Sequence, residues 1–177
     1  MILYFTGTGN SQYAAEYLNS ILKKAIVSLN EYIKKGETAE FHTEECFIFV
    51  LPTYAWRMPR AVEEFLRKCT FSGKPDAWFV LTCGDSIGNA GQYAKKFCEE
   101  KGMNYRGMAD VVMPENYIAM FDVPGVNATK KIIKAAAPSI LEAANAIASD
   151  KAINILESGT DEPCSHFEIV WRTTFNL

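Results

Sequence analysis

A glycine-rich segment near the start of the chain constrains the fold more than any other sequence feature. Residues 2–5 form a short apolar run typical of a β-strand, and residues 10–23 place apolar side chains at helical spacing. Between them lies the segment Thr6-Gly7-Thr8-Gly9-Asn10-Ser11, whose glycines let the backbone approach a ligand closely. The helix N-terminus that follows offers unpaired N–H groups and the positive end of the helix dipole. We therefore interpret this strand–loop–helix unit as a phosphate-binding site.

Two common phosphate motifs are excluded by the residues that are missing. The nucleoside triphosphate motif G-x-x-x-x-G-K-[ST] requires a lysine, and no lysine occurs between Tyr4 and Leu22. The dinucleotide motif G-x-G-x-x-G requires a glycine at the position of Gln12. An uncharged loop rich in hydroxyl groups instead suits a terminal phosphomonoester, which it would hold by hydrogen bonds rather than by ion pairs.

The same six residues carry a family resemblance. Thr-Gly-Thr-Gly-Asn-Ser after a first strand resembles the phosphate loop of flavodoxins, which bind flavin mononucleotide (FMN). The resemblance implies that residues of this loop bind the FMN phosphate, namely Thr6, Gly7, Thr8, Gly9, Asn10 and Ser11. The alternative is an ordinary glycine-rich turn without a ligand, and the six matching residues at the expected position weigh against it.

The rest of the chain alternates between strand and helix patterns. Apolar runs predict strands at 25–29, 46–51, 77–82 and 105–113, and helical spacing predicts helices at 58–69, 90–98 and 133–147, the last with a kink at Pro138. Residues 30–45 are polar, and we expect connecting structure on the surface there. The alternation predicts an α/β, doubly wound parallel sheet of five strands. The strand order 2-1-3-4-5 is implied by the flavodoxin resemblance.

A second loop at the same edge of the sheet carries two large aromatic side chains. The loop Pro52-Thr53-Tyr54-Ala55-Trp56 follows a predicted strand, and the resemblance implies that these five residues contact FMN. Tyr54 stands where flavodoxins place the aromatic residue beside the isoalloxazine ring, with Trp56 as a second candidate. The alternative is that both rings pack inward over the following helix. Flavodoxins often carry glycine or asparagine at the position of Ala55, so we expect a positive φ to be less accessible here.

A third loop follows the predicted strand 77–82. The segment Thr82-Cys83-Gly84-Asp85 is similar to the flavodoxin loop whose backbone N–H groups meet the pyrimidine edge of the flavin. Asn89 is predicted to bond the ligand or to cap the next helix, and turn chemistry is the alternative for Asp85. Gly88 stands where flavodoxins often carry a tyrosine over the outer face of the ring. That cover is then expected from residues 115–121, or the outer face is open.

Composition limits the other classes of function. A chain of 177 residues fits one domain, and a net charge of −3 without a basic stripe argues against nucleic acid as a partner. The sequence shows neither a leader pattern nor an apolar run of membrane-spanning length, so we expect a cytoplasmic protein without membrane insertion. Five cysteines without C-x-x-C spacing are predicted to be free thiols, with Cys46, Cys69 and Cys98 in the core. The two histidines, His42 and His166, are too few to predict a metal site or a catalytic triad.

The three loops together resemble one subgroup, the flavodoxin domain that anaerobic microbes fuse ahead of a ferredoxin domain. This resemblance implies an FMN-binding domain at 1–150 and a tail at 151–177 that packs on the domain or leads to a missing partner domain. The expected function is electron transfer through FMN to a redox protein such as a ferredoxin. The alternatives are an FMN-dependent NAD(P)H or quinone oxidoreductase on the same fold and a binding module that has lost the flavin.

Overall fold

The computed structural model describes residues 1–117 and 121–153. The sequence prediction that residues 151–177 pack on the domain or lead to a partner concerns mostly residues outside the described part of the chain. The same holds for residues 118–120 of the segment considered as a flavin cover, and for Cys164 and His166.

One parallel sheet of five strands forms the centre of the molecule. Its strands are β1 (Ile2–Tyr4), β2 (Ile26–Ser28), β4 (Phe47–Pro52), β6 (Asp76–Cys83) and β7 (Asn104–Val112). Their order in the sheet is β2-β1-β4-β6-β7, and each neighbouring pair is parallel. The five strands taken in chain order therefore follow the order 2-1-3-4-5, and the predicted doubly wound α/β fold is confirmed.

Helices cover both faces of the sheet because successive strand residues point to opposite sides. On one face, α1 (Asn10–Leu22) and α5 (Val126–Ala148) pack against Ile2, Ile48 and Val80. On the other, α3 (Arg60–Lys68) and α4 (Ala90–Lys101) pack against side chains that include Leu3, Phe49 and Phe79. Helix α5 begins earlier than predicted and continues through Pro138.

The prediction of connecting structure at residues 30–45 is wrong. This stretch contains the short helix α2 (Asn30–Lys35) and strand β3 (Glu40–Thr43), which pairs in parallel with β5 (Thr70–Gly73) to form a second, two-stranded sheet. Phe41 and Phe71 stack with ring centroids 5.7 Å apart and attach this sheet to the core. Elements of four to six residues show too little periodicity to be predicted from sequence, so tertiary packing of two aromatic rings decides the structure here.

The predicted burial of Cys46, Cys69 and Cys98 is confirmed. Within the described ranges, His, Cys, Asp and Glu side chains form no group that could hold a metal ion. Among those same residues, no helix combines the length and the apolar character needed to cross a membrane.

Candidate functional site

A cavity of about 850 Å³ lies at the carboxyl edge of the central sheet. The loops that follow β1, β4, β6 and β7 meet there, as expected for an open parallel α/β sheet. Most residues predicted to bind FMN line this cavity: Thr6, Gly7, Thr8, Asn10, Ser11, Pro52, Thr53, Tyr54, Ala55, Trp56, Thr82, Cys83, Gly84 and Asp85. Gly9 and Asn89 are not among the lining residues.

The first loop presents the N-terminus of α1 to the cavity. Gly9 has φ 104° and is the N-cap of α1, so this position has no side chain to satisfy the helix N–H groups. The Gly9 amide donates to Thr6 Oγ1 at 2.9 Å, which closes the loop on itself. Ser11 is buried, and its hydroxyl shares a 2.8 Å hydrogen bond with Thr82 Oγ1 from the end of β6. The loop is therefore preformed for an anion.

Asn30, the first residue of α2, supports this loop and was missed by sequence reasoning. Its Oδ1 accepts a hydrogen bond from the Thr6 amide at 3.1 Å, and its Nδ2 donates to the Thr6 carbonyl at 2.7 Å. A sequence signal for this role exists. Asn30 directly follows the predicted strand 25–29, whose carboxyl end meets that of β1 at the same edge of the sheet.

The second loop forms a tight turn with an unusual backbone. The Tyr54 amide donates to the Arg57 carbonyl at 2.9 Å, and the Arg57 amide donates back to Tyr54 O at 3.3 Å. Ala55 and Trp56 between them have φ 49° and 58°, as at the central positions of a type I′ turn. Alanine disfavours a positive φ, yet residue 55 adopts one because the paired ends of the turn impose it. We call residues 54–57 the aromatic turn.

The two rings of the aromatic turn lie against glycines of two different loops. The Tyr54 hydroxyl lies where a Cβ on Gly7 would be only 2.6 Å away, in the phosphate loop. The Trp56 ring lies against Gly88 so closely that a Cβ there would collide with it. Tyr54 is 45% exposed and Trp56 37% exposed, so neither ring packs inward as in the alternative interpretation. The Trp56 ring thus occupies the space that a side chain at position 88 would need.

Arg57 anchors the aromatic turn to two helices. Its guanidinium donates to the Glu63 carboxylate of α3 at 2.5 Å and lies 4.1 Å from the ring centroid of Tyr93 in α4. Glu63 is 3% exposed, and its other oxygen accepts from Arg67 at 2.8 Å. Neither Glu63 nor Arg67 lines the cavity, and the sequence pattern did not indicate this ion pair.

The third and fourth loops complete the wall. Asn89 is the N-cap of α4, and its side chain makes no capping hydrogen bond. A Cβ on Gly84 would collide with the Glu115 carboxylate, whose Oε1 accepts from the amides of Asn116 and Tyr117 at 2.8 Å each. The side-chain Nδ2 of Asn116 donates to Thr8 Oγ1, which joins the fourth loop to the first loop.

The thiol of Cys83 stays protonated at physiological pH. Burial and the nearby carboxylates of Asp110 and Asp85 raise the pKa of Cys83 to about 12. Its sulfur also lies 3.9 Å from the Val111 carbonyl, to which the thiol donates. Because the thiolate is the nucleophile and the metal ligand, Cys83 is not suited to either role.

The residues of the cavity fit FMN in two respects. The Thr53 hydroxyl is buried without a hydrogen-bond partner among the described residues, so a polar group is left for a ligand. The phosphate loop offers neutral donors at a helix N-terminus. The charged side chains of the described lining residues, Asp85, Glu115 and Asp122, are all acidic, so a bound phosphate would depend on hydrogen bonds and the α1 dipole rather than on cations.

Comparison with known families gives a match over most of the chain. A family model described as a flavodoxin domain matches residues 1–134, which include all four loops of the cavity up to Tyr117. A search of curated proteins finds no relative of this chain.

Solved structures with a similar fold include proteins of several kinds. General stress protein 14 from Treponema denticola, in complex with FMN, aligns with TM-score 0.54 and 10% identity over 82% of this chain and 98% of that chain. An azoreductase from Bacillus anthracis gives TM-score 0.48 and 13% identity over 84% and 98%. Two-electron reduced Megasphaera elsdenii flavodoxin gives TM-score 0.45 and 16% identity over 81% and 98%. At 10% identity, the likeness to general stress protein 14 shows a shared fold alone.

Proposed function

This chain belongs to the flavodoxin domain family, and from that premise we propose that it binds one FMN non-covalently and exchanges electrons with a redox protein. The observation that supports the cofactor most directly is the uncapped N-terminus of α1, which faces a cavity lined by hydroxyl and amide groups. When bound, FMN would supply the redox chemistry, as a flavin accepts and donates electrons. The protein would bind it, orient it and set its potential.

Each loop has a separate task in this proposal. The phosphate loop, braced by Asn30 and by Ser11, would hold the phosphomonoester through N–H and O–H donors. Tyr54 and Trp56 would flank the isoalloxazine ring, since each lines the cavity and is partly exposed. The Thr53 hydroxyl would donate to or accept from the flavin, which gives this buried group a partner.

The acidic side chains of the cavity would lower the reduction potential of the bound flavin. Asp85 and Glu115 line the wall beside Gly84, where the flavodoxin resemblance implies the pyrimidine edge of the ring. Negative charges close to the ring disfavour the addition of further negative charge to it, and so they lower its reduction potential. A low potential suits exchange with an iron–sulfur protein such as a ferredoxin, free or fused as in the subgroup that the loops resemble.

Cofactor identity is tested by titration of the purified chain with FMN, FAD and riboflavin. We expect stoichiometric FMN binding with a visible flavin spectrum, and weaker binding of the other two. The double variant Thr8→Ala/Asn10→Ala should weaken FMN by about 1.5–3 kcal/mol for each hydrogen bond to the phosphate that is removed, and should leave riboflavin almost unchanged. A chain that stays colourless with FMN, or that prefers FAD, would contradict the proposal.

Stopped-flow mixing separates an electron carrier from an oxidoreductase. We expect rapid reduction of bound FMN by reduced ferredoxin and negligible reduction by NADPH. The engagement of Arg57 by Glu63 and Tyr93 supports this expectation, because that guanidinium is already used within the protein and is not presented for a nucleotide phosphate. Rapid reduction by NADPH without reduction by ferredoxin would assign the chain to the FMN-dependent oxidoreductases instead.

A further inference from the structure

Glu63 is a buried carboxylate outside the cavity whose two oxygens are held by different arginines. Oε2 accepts from Arg57 Nη2 at 2.5 Å, and Oε1 accepts from Arg67 Nη2 at 2.8 Å. The residue is 3% exposed, a degree of burial that glutamate reaches almost only when it is paired. The pair with Arg67 lies within α3 and supports that helix, whereas the pair with Arg57 joins α3 to a residue outside it.

Of the two arginines, Arg57 alone belongs to the aromatic turn. Its backbone closes the turn through the two hydrogen bonds with Tyr54, and its side chain is fixed between Glu63 and the ring of Tyr93. The carboxyl-terminal end of the turn is therefore attached to α3 and α4 at once. Arg67, in contrast, lies one helical turn after Glu63 in α3. Its Nε also forms an ion pair with Glu100 Oε2 of α4 at 2.7 Å.

The aromatic turn needs such an attachment because its backbone is unfavourable for its sequence. Ala55 and Trp56 both have positive φ, which glycine and asparagine adopt far more readily. A strained backbone persists when the surrounding structure determines it. The same backbone directs the Trp56 ring against Gly88, so a relaxed turn would move that ring.

We propose that Glu63 is a positioning residue that, through Arg57, holds the aromatic turn in its strained form and thereby keeps the Trp56 ring against Gly88 at the wall of the cavity. The consequence for flavin binding rests on the proposed function. The stabilisation of the aromatic turn by Glu63 and Arg57 is a property of the FMN-free chain and is measured without any ligand.

Hydrogen exchange of the FMN-free chain tests the hold. The amides of Tyr54 and Arg57 report on the turn, since each donates to the other residue's carbonyl. Glu63→Gln removes the charge that Arg57 contacts. Arg57→Met removes the interaction from the other side and leaves Glu63 paired with Arg67, so the hold on the turn can still be measured if Glu63→Gln does not fold. The controls are Glu64→Gln, an exposed neighbour on α3, and Arg67→Gln, which removes the other partner of Glu63.

We expect both Glu63→Gln and Arg57→Met to accelerate exchange at Tyr54 and Arg57 by about tenfold or more, because the turn opens locally once its anchor is removed. The two controls should leave these rates unchanged, even if Arg67→Gln lowers global stability. If Glu63 only stabilises α3, Arg57→Met leaves the turn amides at wild-type rates, and the proposal is overturned.

Flavin titration then tests the consequence. Glu63→Gln should weaken FMN and riboflavin by the same factor, about tenfold, because the aromatic turn would stack on the isoalloxazine ring, which both ligands share, and not on the phosphate. Bound flavin should also fluoresce more strongly, and Glu64→Gln should match the wild type. Wild-type affinity and emission in Glu63→Gln would overturn the role in binding. A wild-type chain that binds no FMN would overturn the proposed function alone, since the exchange rates stand independently.

Discussion

Ala55 and Trp56 occupy the two central positions of a turn that usually contains asparagine and glycine. The left-handed conformation costs about 1–2 kcal/mol for each residue with a Cβ. We expect Ala55→Gly to raise the free energy of unfolding by about 0.5–1 kcal/mol, since relief of strain exceeds the added entropy of glycine in the unfolded chain. Denaturant unfolding measures it.

The matched control for Ala55→Gly is Ala135→Gly, at an exposed position inside α5. There the same substitution should lower the free energy of unfolding by about 1 kcal/mol, because glycine is unfavourable in a helix. Equal destabilisation by both substitutions would show that residue 55 does not have a positive φ.

A second prediction for a single residue concerns the contact between Gly88 and Trp56. It has φ 48°, and an added Cβ would collide with Trp56, whereas Gly102 has φ 64° and open space around it. Alanine at either position should lower the free energy of unfolding by about 1–2 kcal/mol through the backbone alone. Only Gly88→Ala should also change tryptophan emission in the FMN-free chain, because it displaces the indole of Trp56.

A Trp56→Phe background identifies the fluorophore in this comparison. The emission difference between Gly88→Ala and its parent should disappear there. An unchanged emission in Gly88→Ala with Trp56 present would contradict the contact between Trp56 and Gly88.

At the scale of the element, α2 supports the loop from Thr6 to Ser11 although this helix is only six residues long. Asn30→Ala removes both hydrogen bonds to the backbone of Thr6. With a typical hydrogen bond contributing about 0.5–1.5 kcal/mol, we expect FMN binding to weaken by about 1–3 kcal/mol while riboflavin binding changes little. Isothermal titration of both ligands measures the difference.

Asn19→Ala provides the control for α2, since Asn19 Oδ1 accepts from the Lys24 amide at 2.9 Å at the far end of α1. This variant should lose stability and keep the affinity for FMN. Equal loss of FMN affinity in both variants would mean that Asn30 acts through general stability and not through the loop.

At the scale of the whole molecule, we expect Asp76, at the edge of the sheet opposite the cavity, to contribute to stability against acid. Burial pushes the pKa of Asp76 upward, but hydrogen bonds from Asn104 and Lys74, both at 3.0 Å, outweigh it and hold the pKa below its ordinary value. Because the folded-state pKa is lower than the unfolded one, this carboxylate stabilises the fold above the unfolded pKa. The contribution is lost as the pH falls through the folded pKa.

We therefore expect Asp76→Asn to lower the free energy of unfolding at pH 7 by about 1–2 kcal/mol and to match the wild type in strong acid. Denaturant unfolding at pH 7 and about pH 2 compares the two conditions. Asn104→Ala removes one of the two donors and should reproduce part of this pH dependence. A difference between Asp76→Asn and the wild type that persists in acid would contradict this assignment.

The central sheet and the position of the loop from Thr6 to Ser11 could be predicted from the sequence alone. Buried parallel strands have continuous apolar sequences, such as residues 46–51. The loop from Thr6 to Ser11 lies directly between a strand and a helix, so a short local pattern is enough to locate it. A parallel sheet places the carboxyl ends of its strands at one edge. That the three loops meet there can therefore be predicted without knowing any side-chain contact.

The remaining features of the site depend on long-range contacts and could not be predicted from local sequence patterns. The positive φ of Ala55 follows from the pairing between Tyr54 and Arg57 and from the contact of Arg57 with Glu63. The intrinsic preference of alanine would not predict it. The second sheet exists because Phe41 and Phe71, distant in sequence, stack on the core. Trp56 contacts Gly88, and Asn30 contacts Thr6, although the members of each pair are distant in sequence. Local propensity is weak at such short elements and turns, and long-range contacts therefore set their conformation.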